Sequence, residues 1–278
     1  MEQLVYSCSE YKFYLLNLET SSVDRSILVG GERTFRGVQD YSFCFTDSNQ
    51  NYGVFYFLGG IRIRKKTFNS EVIEINPILG TKSHLPKMTQ LRRSAGAVVF
   101  GDFLYSIGGA YSNDLTCCER LNLHTKSEWE TVEPLNVPRS NFAVAADQNY
   151  IYVAGGGNKL GFLSTCERFD GTNWVVLPLK LPVAEKYIAG ASVGDSLIIL
   201  GGRVALCLSL VDYSVKEVGQ PPKCKVSHPL VTLESAESVK VFVVEGTEVL
   251  EYEVQQNTWE RRKHFAKLKT TLRPFNLY

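Results

Sequence analysis

Four Gly-Gly pairs each close an apolar run, the pairs recur at a near-constant interval, and tryptophans stand at matching places behind them. These three observations predict an all-β chain: a six-bladed β-propeller with four antiparallel strands per blade. The runs are "VFYFLGG" ending at Gly59-Gly60, "FLYSIGG" at Gly108-Gly109, "IYVAGG" at Gly155-Gly156 and "SLIILGG" at Gly201-Gly202. Counted from the first glycine of each pair, the intervals are 49, 47 and 46 residues. The next position in phase ends "VKVFVVEG", where Gly246 is kept and Glu245 replaces its partner. Gly30-Gly31 is out of phase and reads as a loop.

Each unit is read the same way. A short apolar strand comes first ("AGAVVF", "NFAVAAD", "IAGASV") and the glycine-terminated strand second. The third is "EVIEINP", "CCERLNL", "TCERFD", "LSLVDYS" or "EVLEYEV". Two of these share Cys-Glu-Arg, at 118–120 and 166–168, which is internal homology rather than pattern alone. The fourth segment carries Trp129, Trp174 or Trp259, with Val218 read as the substitute in the unit between the last two. The blades are expected at 40–86, 94–134, 140–179, 187–219 and 228–262. A further blade joins 1–30 to a closing strand from 271–278, so that no sheet edge is left open. The whole chain, 1–278, then reads as one propeller domain.

The glycines allow backbone angles that other residues resist and let the chain pass close to the next blade. Trp129, Trp174, Tyr252 and Trp259 are expected to fill the wedges between blades, where flat rings bury most area. A strand ending in Gly-Gly, then Leu121-Asn122 before Trp129, or Phe169-Asp170 before Trp174, resembles the kelch repeat. The resemblance covers nearly the whole chain. A WD-repeat propeller would need Gly-His and Trp-Asp dipeptides in its blades, and neither occurs.

Lys and Arg number 30 and Asp and Glu 29, so net charge selects no partner and any electrostatic specificity lies in the distribution of charge. The N-terminus has no basic segment followed by an apolar one, and no stretch reaches the roughly 20 apolar residues of a membrane helix. The seven cysteines are scattered, with no C-x-x-C pair, and read as reduced thiols of a cytoplasmic protein, with nuclear or cytoskeletal placement as variants. A monomer is expected. The four histidines lie in separate units without ligand spacing, and no G-x-S-x-G, H-E-x-x-H or P-loop is present. No catalytic residue, metal or cofactor is therefore assigned.

In a four-stranded blade, the loops after the second and fourth strands share one face. That face collects "IRIRKKTFN" (61–69), the other loops that follow the glycines, and the segments between blades. Arg62, Arg64, Lys65, Lys66, Arg92, Arg93, Arg139, Asn141, Lys159, Arg203 and Arg273 are expected there, facing a protein or acidic peptide, with little effect on folding. The resemblance points the same way. Kelch domains of ubiquitin-ligase adaptors present arginine-lined faces to acidic peptides, and Arg92/Arg93, Arg139 and Arg273 match the family's Arg before the first strand. It implies a stand-alone interaction module, including substrate recognition for ubiquitin ligation. Its alternatives are a small-molecule propeller enzyme of the mutarotase or oxidase kind and an actin-binding kelch protein. Nucleic acid is not expected, because the basic loop lacks interleaved stacking aromatics.

Overall fold

The computed structural model describes residues 3–8, 12–17, 22–28, 38–40, 42–48, 51–62, 64–76, 79–201, 203–219, 231–234, 239–245, 248–254 and 256–262. Every regular element among them is a strand. Five antiparallel sheets have four strands each. The first is Ser42–Ser48, Asn51–Leu58, Val72–Asn76 and Thr81–Leu85. The second is Gly96–Phe100, Phe103–Ile107, Cys118–Asn122 and Trp129–Val132. The third is Ala143–Ala146, Ile151–Ala154, Thr165–Phe169 and Trp174–Lys180. The fourth is Ile188–Val193, Ser196–Gly201, Val204–Ser209 and Val215–Glu217. The fifth is Val231–Glu234, Val239–Glu245, Glu248–Glu253 and Thr258–Arg262.

The first strands of successive sheets lie side by side, which makes the sheets the blades of a β-propeller. Among the described residues five complete blades thus stand, where the repeat predicts six. Gln3–Cys8, Lys12–Asn17 and Ser22–Leu28 form a separate three-stranded sheet. The expected closing strand at 271–278 lies outside the described residues, as do Gly202, Gly246 and Arg273.

The core is a series of wedges between blades. Strand residues alternate in direction, and both faces of a blade are covered. Leu104 joins Leu58, Val72 and Trp129 in the wedge towards the preceding blade. Its neighbours Tyr105 and Ile107 join Phe142, Val153 and Trp174 in the wedge towards the next. The buried Cys-Glu-Arg cysteines obey the same rule, Cys118 sitting in one wedge and Cys166 in another. Burial pushes both thiols up to about 12, and raises that of Cys44 as well. Cys44, Cys117, Cys118, Cys166 and Cys207 are free thiols.

The tryptophans also tie blades together. The Trp129 indole N–H donates to the Pro86 carbonyl at 2.8 Å, and that of Trp174 to Glu133 at 3.0 Å. Trp259 donates in the same way to Gly219. Each carbonyl belongs to the segment leaving the preceding blade. Trp129 pairs across the sheet with Leu121, Trp174 with Phe169 and Trp259 with Tyr252. In the fourth blade the same register pairs Leu208 with Val215. Val215, not Val218, therefore takes the tryptophan position: the turn between the third and fourth strands varies in length from blade to blade, so linear spacing does not locate this position. Val218 is buried further along, on the wedge towards the last blade.

Candidate partner-binding face

The two expected sets of loops meet through their backbones. Val38–Gln39 pairs with Ile61–Arg62, which pairs with Thr67–Phe68. In the next two blades the same contacts are the bridges Arg93↔Ala110 and Ser140↔Gly157. In these three blades the entering segment is thus stitched to the loop after that blade's glycines, on one face of the ring.

Around this face runs a backbone chain. The Ser94 N–H donates to Asp40 C=O at 2.7 Å, Asn141 to Ser94 at 3.0 Å and Tyr187 to Asn141 at 2.8 Å. All four residues have φ between 51° and 57°, a left-handed conformation unusual for non-glycine residues. The glycine pairs sit just beneath. Gly60 N–H donates to Arg92 C=O, Gly109 to Arg139 and Gly156 to Glu185, at 2.8–2.9 Å. A Cβ on Gly59 would stand 2.5 Å from the Arg92 carbonyl oxygen. Close approach to the entering segment of the next blade is therefore what these positions require.

These carbonyl contacts also set Arg92, Arg139 and Glu185 as structural equivalents. Arg92 and Arg139 do not face a partner: they are 1% and 0% exposed. Arg139 donates through Nη1 to the carbonyls of Gly155 (2.7 Å) and Thr165 (3.0 Å), and through Nη2 to Thr165 Oγ1 (3.2 Å) and Glu167 Oε1 (2.7 Å). Arg92 repeats this with Gly108, Cys117 and Glu119. Glu167 in turn accepts from the backbone N–H groups of Asn136 and Val137, and Glu119 from those of Thr89 and Gln90. The expectation of partner contact for these two arginines is corrected: their forks are committed to internal acceptors.

The repeated Cys-Glu-Arg now has a physical reading. The cysteine fills a wedge and the glutamate holds the buried arginine. The second arginine lies over a ring of its own blade, Arg120 over Phe103 at 4.3 Å and Arg168 over Tyr150 at 4.5 Å.

Other expected cations remain on the face. Arg64, Lys65 and Lys66 are exposed at the tip of the 61–68 loop, and no described carboxylate pairs with them. Arg62 is held by Glu71 at 2.7 Å and Arg93 by Asp40 at 3.0 Å. Arg203, 72% exposed, pairs with Glu185 at 3.0 Å. Burial pushes the Glu71 carboxyl up, but the hydrogen bond and charge of Arg62 outweigh it and leave its pKa lowered. Arg203 does the same for Glu185. Both cations thus carry a permanent counter-charge. Lys159 is exposed on the Gly157–Phe162 hairpin, and its backbone N–H donates to Asp114 at 2.7 Å. Asn141 is half-buried and contributes backbone to the chain described above.

Aromatic residues stand among these cations, and reading by spacing alone missed them. Phe68 meets Tyr111 edge-on, with the Arg93 guanidinium 5.8 Å from the Phe68 ring. Lys186 lies over both Phe162 (4.7 Å) and Tyr187 (4.9 Å). The signal was an aromatic within or beside loops expected to be polar. Among the described residues, no three His, Cys, Asp or Glu side chains are grouped to hold a metal ion.

Comparison with known proteins places these features in context. A family model described as the Kelch motif matches residues 138–178, the third complete blade with its entering arginine. The chain is 29% identical over 169 residues to Kelch-like protein terF of Aspergillus terreus, covering 54% of this chain and 36% of that protein. It is 40% identical over 76 residues to Kelch-like protein 41a of Danio rerio, covering 26% and 13%. It is 25% identical over 159 residues to Kelch repeat and BTB domain-containing protein 1 of Ectromelia virus, covering 52% and 28%. The matched stretches thus span little more than a third, or less, of these relatives.

Proposed function

The chain belongs to the kelch-repeat family, and from that premise we propose that it is a protein-interaction module whose loop face takes an acidic peptide segment. The observation that carries this is the exposed Arg64-Lys65-Lys66 tip, on the face where loops of successive blades are stitched together. Converging loops offer a segment several donors at once, and an unpaired cation loses no existing partner on binding. Arg62, Arg93 and Arg203 support the site from the rim, already balanced by Glu71, Asp40 and Glu185. The reading assigns no reaction to the chain. It takes the protein as a cytoplasmic monomer, the compartment resting on the scattered cysteines of the sequence. Its finer form is substrate recognition for ubiquitin ligation, and one relative's name joins kelch repeats to a BTB domain.

The test is direct. A fluorescein-labelled peptide of alternating aspartate and glutamate should bind, and Arg64→Glu/Lys65→Glu/Lys66→Glu should weaken it at least about tenfold, or 1.4 kcal/mol. The melting temperature should hold, since exposed loop charges contribute little to stability. Unchanged affinity in the triple variant would sink the assignment.

We also propose that the ring closes at six blades, with 271–278 completing the three-stranded 3–28 sheet. The near-constant repeat and the three strands described for that sheet support this. A chain ending at residue 264 should then melt several degrees below the full chain, because removing the closing strand bares a sheet edge. Equal melting temperatures would refute the closure.

A further inference from the structure

The same face carries a second kind of feature. Leu160 is 88%, Phe162 47% and Tyr187 38% exposed, all at one corner between the third and fourth complete blades. Lys186 joins the two rings, its ammonium less than 5 Å from each centroid. Lys159 and Arg203 flank the corner, and no described carboxylate pairs with Lys186 or Lys159.

The corner is held in place. The Lys159 N–H donates to Asp114 at 2.7 Å, the Leu160 N–H to Asn158 Oδ1 at 2.9 Å, and Asn158 Nδ2 to the Pro138 carbonyl at 3.0 Å. Gly157 and Phe162 pair across the hairpin, and Tyr187 is tied by its own N–H to Asn141. These apolar side chains are presented by anchored backbone, so little ordering entropy remains to be lost on contact. Rigid rings beside cations are the composition of interface anchors.

We propose that this corner reads an apolar side chain within the acidic segment: a large aliphatic or aromatic group packs on Phe162, Tyr187 and Leu160 while a neighbouring carboxylate reaches Lys186. Charge complementarity fixes the partner's chemistry. Lys159 and Lys186 flank the apolar patch with no described counter-charge, so the residues next to the anchor are acidic, and a neutral apolar peptide leaves the lysines without counter-charge. The inference rests on the acidic-segment reading above and adds the determinant that charge alone does not supply.

Two fluorescein-labelled peptides separate the ideas. Both have eight alternating aspartates and glutamates around one central residue, tryptophan in one and serine in the other. The tryptophan peptide should bind about tenfold tighter, the scale of burying most of one large side chain. Leu160→Ser/Phe162→Ser should remove that preference while leaving the serine peptide's affinity unchanged. Tyr187→Asn, which suits the left-handed backbone, should reduce the preference if the double variant proves poorly folded by thermal melting. Equal binding of the two peptides overturns this inference and leaves the acidic-segment reading standing. So does a tryptophan preference that survives in the folded variants. Failure of both peptides to bind overturns the acidic-segment reading and this inference with it.

Discussion

Arg139→Met is expected to lower the melting temperature by roughly 10 °C. The substitution leaves the Glu167 carboxylate at 0% exposure without its cation, and strips hydrogen bonds from the Gly155 and Thr165 carbonyls. Breaking a buried pair from one side costs about 3–5 kcal/mol, and each kcal/mol is worth roughly 2–4 °C in a chain approaching this size. Arg139→Met/Glu167→Leu should recover part of the loss, because an apolar pair avoids an uncompensated buried charge. The chain contains a precedent. In the first complete blade the position equivalent to Glu167, by backbone register, is Ile73, which is buried. Recovery should be incomplete, since Glu167 also accepts from the Asn136 and Val137 N–H groups. An Arg139→Met variant that melts within 2 °C of the parent, roughly 1 kcal/mol at most, would show that the pair contributes little.

Gly59→Ala should cost about 3 kcal/mol, whereas Gly101→Ala should cost about 1. Both glycines have positive φ, +66° and +56°, so both substitutions carry the left-handed strain of roughly 1–2 kcal/mol. Only at Gly59 does the new Cβ meet backbone, 2.5 Å from the Arg92 oxygen, while nothing lies within 4 Å at Gly101. Relief at Gly59 needs the two segments to part. That weakens the hydrogen bonds Gly60–Arg92 (2.9 Å) and Gly59–Glu71 (3.0 Å), each worth about 1 kcal/mol. Chemical denaturation of the two variants measures the difference. Equal losses would mean that the glycines serve backbone angle alone and not the close passage between blades.

The blades were legible in the sequence because their markers answer to backbone geometry. A glycine where two segments touch, and a tryptophan whose indole reaches the preceding blade, admit few substitutes, so they recur at the period of the fold. The direction of Arg92 and Arg139 was not legible by position, because an arginine ahead of a first strand reads the same pointing inward or outward. The clue lay in a pairing within the chain. The two blades with arginine there also have glutamate at 119 and 167. The blade with Glu185 at that place has Leu206 opposite, and in the first complete blade Ile73 takes the glutamate's position. The Phe162–Lys186–Tyr187 corner escaped for another reason: its members come from two loops about 25 residues apart, and only the fold brings them together.

The backbone chain from Asp40 through Ser94 and Asn141 to Tyr187 has a consequence for how this surface can diversify. Its links use only N–H and C=O groups, so the ring is hooped by atoms that every non-proline residue possesses. Four successive positions already hold four different side chains, acidic, hydroxyl, amide and aromatic, in one conformation. Side-chain identity there can drift among residues that tolerate the left-handed backbone while these backbone links are kept. A lineage carrying this ring can exchange Tyr187 for a residue of other chemistry, and with it the kind of partner it favours, without renegotiating the stability of the scaffold.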